Sequence, residues 1–186
     1  MKKIVYTAMV VTALAASPAM AQNATGTVQV SGSVESKCTA STPITGSITL
    51  NELALASGKV DPAFSSQSGG LSRSFTVVCT SANVAISVSS DALNNSTDNT
   101  TLGGYTGRVH YTSTLTANKA GGGVATAVYT TTDTLPAATT TPLGDRLANA
   151  ADNITVTVSN GTTTNANDVL KAGAYSSTIA ITVAPV

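Results

Sequence analysis

Apolar and polar residues alternate along most of this chain with a period of two, and no long window shows the spacing of an amphipathic helix. That pattern restricts the chain to β-structure. Alternating runs are predicted as strands at Thr27–Val34, at "SRSFTVVC" with Phe75, Val77 and Cys79 on one face, and at "NVAISVS" with Val84, Ile86 and Val88. Further runs follow at "GRVHYTSTL" (Val109, Tyr111, Leu115), at "GVATAVY" from Gly123 to Tyr129, and at "NITVTVS" (Ile154, Val156, Val158). The last runs from Tyr175 to Val183, with Tyr175, Ile179, Ile181 and Val183 on one face, and a shorter strand is expected at Gly46–Leu50. The strand residues are rich in Thr, Val, Ile and Tyr, whereas the breaks hold Gly, Pro, Asn and Asp. Asn118–Gly123 reads as a hairpin tip and Leu135–Asp145 as a longer loop, while Leu50–Val60 could hold a helical turn. Many short alternating strands in a chain of this size predict an all-β, antiparallel β-sandwich. The absence of tryptophan argues against an antibody-type domain.

The N-terminal residues follow a different logic. Lys2 and Lys3 precede a short apolar run, Ile4 to Ala16; Ser17 and Pro18 break it, and Ala19-Met20-Ala21 is a small-x-small cleavage site. Residues 1–21 are therefore expected to be a secretory signal, leaving Gln22 as the mature N-terminus. The run is shorter than the roughly 20 apolar residues that span a bilayer. What remains suits one domain. Nine basic side chains oppose nine acidic ones, and losing Lys2 and Lys3 leaves a slight acidic excess. With no basic patch, nucleic acid is not expected as a partner. Cys38 and Cys79 both follow the signal, and export into an oxidising space makes a disulfide the default reading. Free or metal-binding thiols are the alternative, disfavoured by a single histidine and the lack of a CxxC pair.

The inventory for catalysis is thin. His110 is the one histidine; lying between Val109 and Tyr111, it should face outward if those two face the core. The carboxylates are scattered, and Asp91 and Asp98 flank "ALNNST" without the dense alternation of a calcium loop. No GxSxG, P-loop or HExxH motif occurs. The Asn-x-Ser/Thr triplets at Asn94, Asn99, Asn153 and Asn160 are what chance supplies in a chain rich in Asn and Thr. No enzyme activity, metal or cofactor is expected.

Taken together, the segment "ATGTVQVSGSV", Cys38, "SFTVVC" ending in Cys79, the "RVHYTSTLTAN" strand and the ending "KAGAYSSTIAITVAPV" resemble pilin subunits of the chaperone–usher pathway. The likeness is closest to the archaic branch, whose subunits carry the spore coat protein U domain. The chain departs from that family's ending at Ser177, where an acidic residue is usual. The resemblance implies an immunoglobulin-like sandwich over residues 37–186, incomplete for want of its final strand. It also implies a donor-strand extension at 22–36. A periplasmic chaperone would fill the groove first, beside an edge formed by Tyr175, Ile179, Ile181 and Val183. An outer-membrane usher would then pass the subunit to the surface. There the segment with Val28, Val30, Gly32 and Val34 would enter the groove of a neighbouring copy, building a pilus or coat that supports adhesion and biofilm. Only Ala184, Pro185 and Val186 follow the last predicted strand, so that strand is expected to lack a partner. The competing expectation is a self-contained secreted β-sandwich, a matrix or carbohydrate-binding protein. Such binders usually present aromatic platforms, and this chain has few aromatics outside its strands, Tyr105 being one.

Overall fold

The computed structural model describes residues 27–40 and 43–186. The expected signal peptide at 1–21 and the start of the expected extension at 22–26 lie outside the described residues. Residues 27–33 form one unit and Val34–Val186 another. The second unit carries every assigned strand. In chain order these are β1 (Cys38–Ala40), β2 (Ser72–Phe75), β3 (Val77–Cys79), β4 (Val84–Ser90), β5 (Leu93–Asn95), β6 (Thr101–Leu102) and β7 (Tyr105–Thr106). There follow β8 (Arg108–Asn118), β9 (Val124–Thr130), β10 (Thr139–Pro142), β11 (Ile154–Thr162), β12 (Val169–Leu170), β13 (Tyr175–Ser176) and β14 (Ile179–Pro185).

Two antiparallel sheets make the sandwich-like body. The smaller runs β10–β4–β14; the larger runs β13–β5–β8–β11–β2, with β9 also paired to β8. Their inward faces are the alternating residues. Val84, Ile86 and Val88 of β4 are fully buried against Leu115 and Ala117 of β8, Ala127 and Tyr129 of β9, and Ile154 and Val156 of β11. A second cluster joins Val109, Tyr111 and Val158 to Leu53, Phe64 and Leu93. Each such valine or isoleucine contributes roughly 1.5–3 kcal/mol by leaving water. Between the two clusters, where apolar contact gives way, Ser90 of β4 and Ser113 of β8 hydrogen-bond to each other in the buried interior.

The expected run from Ser72 to Cys79 is two strands rather than one. β2 pairs with β11, whereas β3 pairs with β1. At the switch the buried side chain of Asn153 replaces a strand: its Nδ2 donates to Val77 O (2.7 Å) and its Oδ1 accepts from Val77 N (2.9 Å). A carboxamide carries the same donor and acceptor as a peptide group, so the ladder continues through a side chain. That use buries Asn153 and takes its triplet out of the surface set.

Four other expectations are corrected. Gly46–Leu50 is not a strand; it has a single bridge, Thr49 to Ser68. Leu50–Val60 forms no helical turn and closes instead through a bridge between Ala54 and Val60. The loop at Leu135–Asp145 contains β10, whose Thr139–Thr141 pair with Val88 to Ile86 of β4. His110 lies on the opposite face from Val109 and Tyr111, as alternation requires, yet it is buried, because Asp133 and Thr164 cover it. The hairpin tip at Asn118–Gly123 is found as expected, linking β8 to β9.

Cys38 and Cys79 stand directly opposite each other in the β1–β3 ladder, with Cα atoms 4.1 Å apart, and form a disulfide. The bond closes a loop of 41 residues' separation. In the chain-entropy model, closing such a loop removes about 4 kcal/mol of unfolded-state freedom. The double substitution Cys38→Ser/Cys79→Ser is therefore expected to lower the unfolding free energy by about that amount in urea titrations. An unchanged midpoint would show that the β1–β3 pairing holds without the bond.

Candidate functional site

The two long sides of the sandwich differ. On one side β10 and β9 are the neighbouring edges, and Thr141 Oγ1 donates to Thr126 O across them (3.1 Å). On the other side β14 ends the small sheet and β2 ends the large one, and neither has a second strand partner among the described residues. β14 pairs only with β4, in register from Ile179–Ser90 to Pro185–Val84. Its inward residues Ile179, Ile181 and Val183 are only partly buried, in contrast to their fully buried neighbours on β4. Cys38, Ala40, Ile44, Phe75 and Cys79 form the matching partly buried set from β1 to β3, and β1 touches β14. The result is a half-covered apolar strip beside an unpaired backbone edge.

Local sequence places this edge. The expected strand Tyr175–Val183 breaks at Ser177 and Thr178, and its two pieces join different sheets. Tyr175 pairs with Asn95 of β5, and its hydroxyl donates to Lys171 O (2.8 Å). Ser177 Oγ lies 2.7 Å from the Tyr111 hydroxyl and donates to Asp91 O. Burial pushes the Tyr111 hydroxyl above the ordinary tyrosine pKa, so it stays a neutral hydrogen-bonding group at the crossing. Of the four residues expected along one edge, Ile179, Ile181 and Val183 therefore share the β14 strip, and Tyr175 belongs to the second apolar cluster. Ile44 and Ala40 join the strip without having been singled out in sequence; the partial alternation around Ile44, Ile48 and Leu50 is the signal that marks them.

The N-terminal residues are placed differently. Residues 27–37 carry no assigned strand, and Val28, Val30 and Val34 are 91, 91 and 80 % exposed. A side chain added at Gly32 would meet nothing within 4 Å. Their alternating apolar face is thus bare. Among the described residues no three His, Cys, Asp or Glu side chains converge on a point suited to a metal ion. No helix among the described residues is long and apolar enough to cross a membrane.

No family model matches this chain, and no curated protein or solved structure matches it either. The reading of the site therefore rests on its own geometry.

The approach to β13 is held by an ion pair. Lys171 Nζ lies 2.7 Å from Asp98 Oδ2, and Thr100 donates to Asp98 Oδ1 through both its amide (2.9 Å) and its hydroxyl (2.6 Å). The Lys171 bond first, and the Thr100 bonds second, hold the Asp98 carboxyl well below the usual carboxylate range. A depressed folded-state pKa means that the contribution of this clamp is complete above the ordinary value of 3.8 and shrinks as pH falls from there through the folded-state value. The Asp98 carboxyl, followed by NMR in an acid titration, should titrate well below 3.8. Lys171→Met should move that midpoint upward, and no movement would remove Lys171 as the main cause.

Proposed function

We propose that this protein is a structural subunit of a secreted surface polymer, a pilus or coat, assembled by strand exchange between copies. The observation that carries the reading is a pairing of opposites. The body has an unpaired, apolar-faced strand edge at β14, and the same chain has a bare, apolar-faced segment with no assigned strand at Val28–Val34. Such an edge invites a further strand, and strand addition to an exposed edge is a known mode of recognition. The lengths fit. Val28 to Val34 is as long as the seven residues of β14, and at about 3.3 Å per residue an added strand would run its full length. Side chains at every second position, Val28, Val30 and Val34, would meet a strip whose own apolar groups recur at every second position.

In this reading the sandwich is immunoglobulin-like and completed from outside. A periplasmic chaperone covers the β14 edge before assembly, an outer-membrane usher passes the subunit to the cell surface, and neighbouring subunits replace the chaperone there. The role is structural, with no reaction assigned, and adhesion or biofilm support follows from the polymer. The small neutral surface suits this role: only 10 % of residues are charged, so copies can lie side by side with little repulsion.

Val30→Asp in the full chain tests the proposal. Val30 is 91 % exposed, so the monomer's melting temperature should be unchanged. Each valine is expected to contribute roughly 1.5–3 kcal/mol to a receiving groove. An aspartate there would bury a charge, so polymers should shorten or vanish in electron micrographs while the chaperone-bound monomer accumulates normally. A destabilised monomer would mean that the segment completes its own sandwich. Undiminished polymer would mean that assembly uses another surface. The complementary change, Ile181→Asp on β14, should prevent accumulation of soluble subunit in the periplasm, and normal yield of folded protein would count against the β14 edge.

A further inference from the structure

A second site lies at the end of the sandwich where β8 begins. Arg108 is pinned from two sides: Nε donates to Asn94 Oδ1 (3.2 Å) and Nη1 to Asp133 Oδ1 (3.1 Å). Asp133 is pinned in turn, its Oδ1 lying 3.3 Å from His110 Nε2 and its Oδ2 accepting from Thr164 Oγ1 (2.8 Å). His110, buried behind the pair, braces it from below. Two clefts of about 480 and 330 Å³ flank this bar, and Asn99, Arg108 and Asp133 line both. Arg108 Nη2, the Asn99 carboxamide and the Ser176 hydroxyl have no hydrogen-bond partner among the described residues. Leu135, 68 % exposed, adds an apolar wall to the larger cleft.

We propose that the Arg108–Asp133 bar is the centre of a binding site for a neutral oligosaccharide. Three features select that ligand class. The first is charge: Arg108 is offset by Asp133 and by Asp91 in the larger cleft, so no excess positive charge remains to hold a phosphate, sulfate or uronate. The second is saturation: the Asp133 oxygens already accept from Arg108 and Thr164 and lie against the His110 ring, which leaves no open carboxylate pair for a cation. The third is what stays open: a guanidinium edge, a carboxamide and a hydroxyl. These planar or rotatable groups offer donors and acceptors to vicinal sugar hydroxyls, with Leu135 set to cover a C–H face. Clefts on both sides of one bar fit a chain of at least two sugar units better than a single compact ligand. The pinned Arg108 gives the site its shape before binding, which limits the ordering cost of binding. This site does not depend on the assembly proposal, since its test uses the monomer.

The experiment titrates the full-length, isotope-labelled chain with cellohexaose, chitohexaose and mannohexaose, and with hexagalacturonic acid as the anionic control. Saturable shifts of the Asn99, Arg108, Asp133 and Ser176 amides are expected with at least one neutral hexaose. Asn99→Ala should weaken that binding about tenfold, and Arg108→Met should abolish it. Should Arg108→Met fail to give a folded spectrum, Asn99→Ala and Ser176→Ala decide, since neither side chain holds the fold together. The proposal is overturned by an absence of shifts with all three neutral hexaoses at about 10 mM, the range of very weak binding. It is equally overturned by shifts that map elsewhere, by tighter binding of the anionic control at the same residues, or by unchanged affinity in Asn99→Ala.

Discussion

The ladder between β4 and β14 is the interaction on which the rest depends. β4 is the middle of a three-stranded sheet, and its inward Val84, Ile86 and Val88 are fully buried. β14 has no other strand partner among the described residues. Its hold on the body is therefore seven register pairs with β4 and a strip of apolar contact that is only half covered. Loss of the β4 row would remove the surface against which both sheets close. Loss of β14 would leave β4 itself as an edge on that side. The fold thus places a strand open on one side directly beside a fully buried row.

Alternation made the body legible and made the joints illegible. Every inward residue expected on β4, β8 and β11 is buried, because a period of two is a local property and the pleat enforces it. Ser113 occupies an inward position that alternation alone would give to an apolar residue, and it is satisfied by Ser90 across the core. The breaks at Thr76 and at Ser177–Thr178 carry no comparable local signal. They arise where distant groups intervene: the Asn153 carboxamide takes over the pairing of the Val77 backbone, and the Ser177 hydroxyl is held by the Tyr111 hydroxyl and Asp91 O. β10 was hidden because "TTTP" is as good a loop as a strand until β4 lies beside it. The burial of His110 likewise depends on two loops, at Asp133 and Thr164, that are remote in sequence. The bare valines at 28, 30 and 34 were legible as an apolar face, but nothing in the sequence alone says that they stay exposed.

Polar groups do the fixing throughout. Asn153 is fully satisfied by Val77 and by Ala148 O, to which its Nδ2 also donates, so its burial carries no desolvation debt. A buried carboxamide of this kind is demanding: a shift of one residue in β3 against the start of β11 would strand its donor and acceptor, at about 1–3 kcal/mol for each unsatisfied group. The disulfide acts at the other end of β3, where Cys79 closes that strand onto β1. The chain from Cys38 to Cys79 is thus fixed at its ends by a covalent bond and near its close by a hydrogen-bonded side chain.

These constraints bear on how a half-covered edge can persist. An unpaired strand with an apolar face usually needs a charge, a proline or a bulge to discourage unwanted pairing. β14 carries Pro185 as its last residue and no charged side chain, so only its end is blunted. Its residues from Ile179 to Val183 have no such protection. A strand laid against them would gain backbone hydrogen bonds as well as apolar burial, and it would gain them along the whole run that is now open. Val28 to Val34 offers the complementary state, with apolar groups in water and no strand partner. Two incomplete surfaces in one chain, each able to pair with the other in a second copy, are the basis of the head-to-tail assembly proposed above. In the proposed assembly such a contact would be heterologous, and a heterologous contact whose rotation does not close extends as a filament rather than stopping at a dimer.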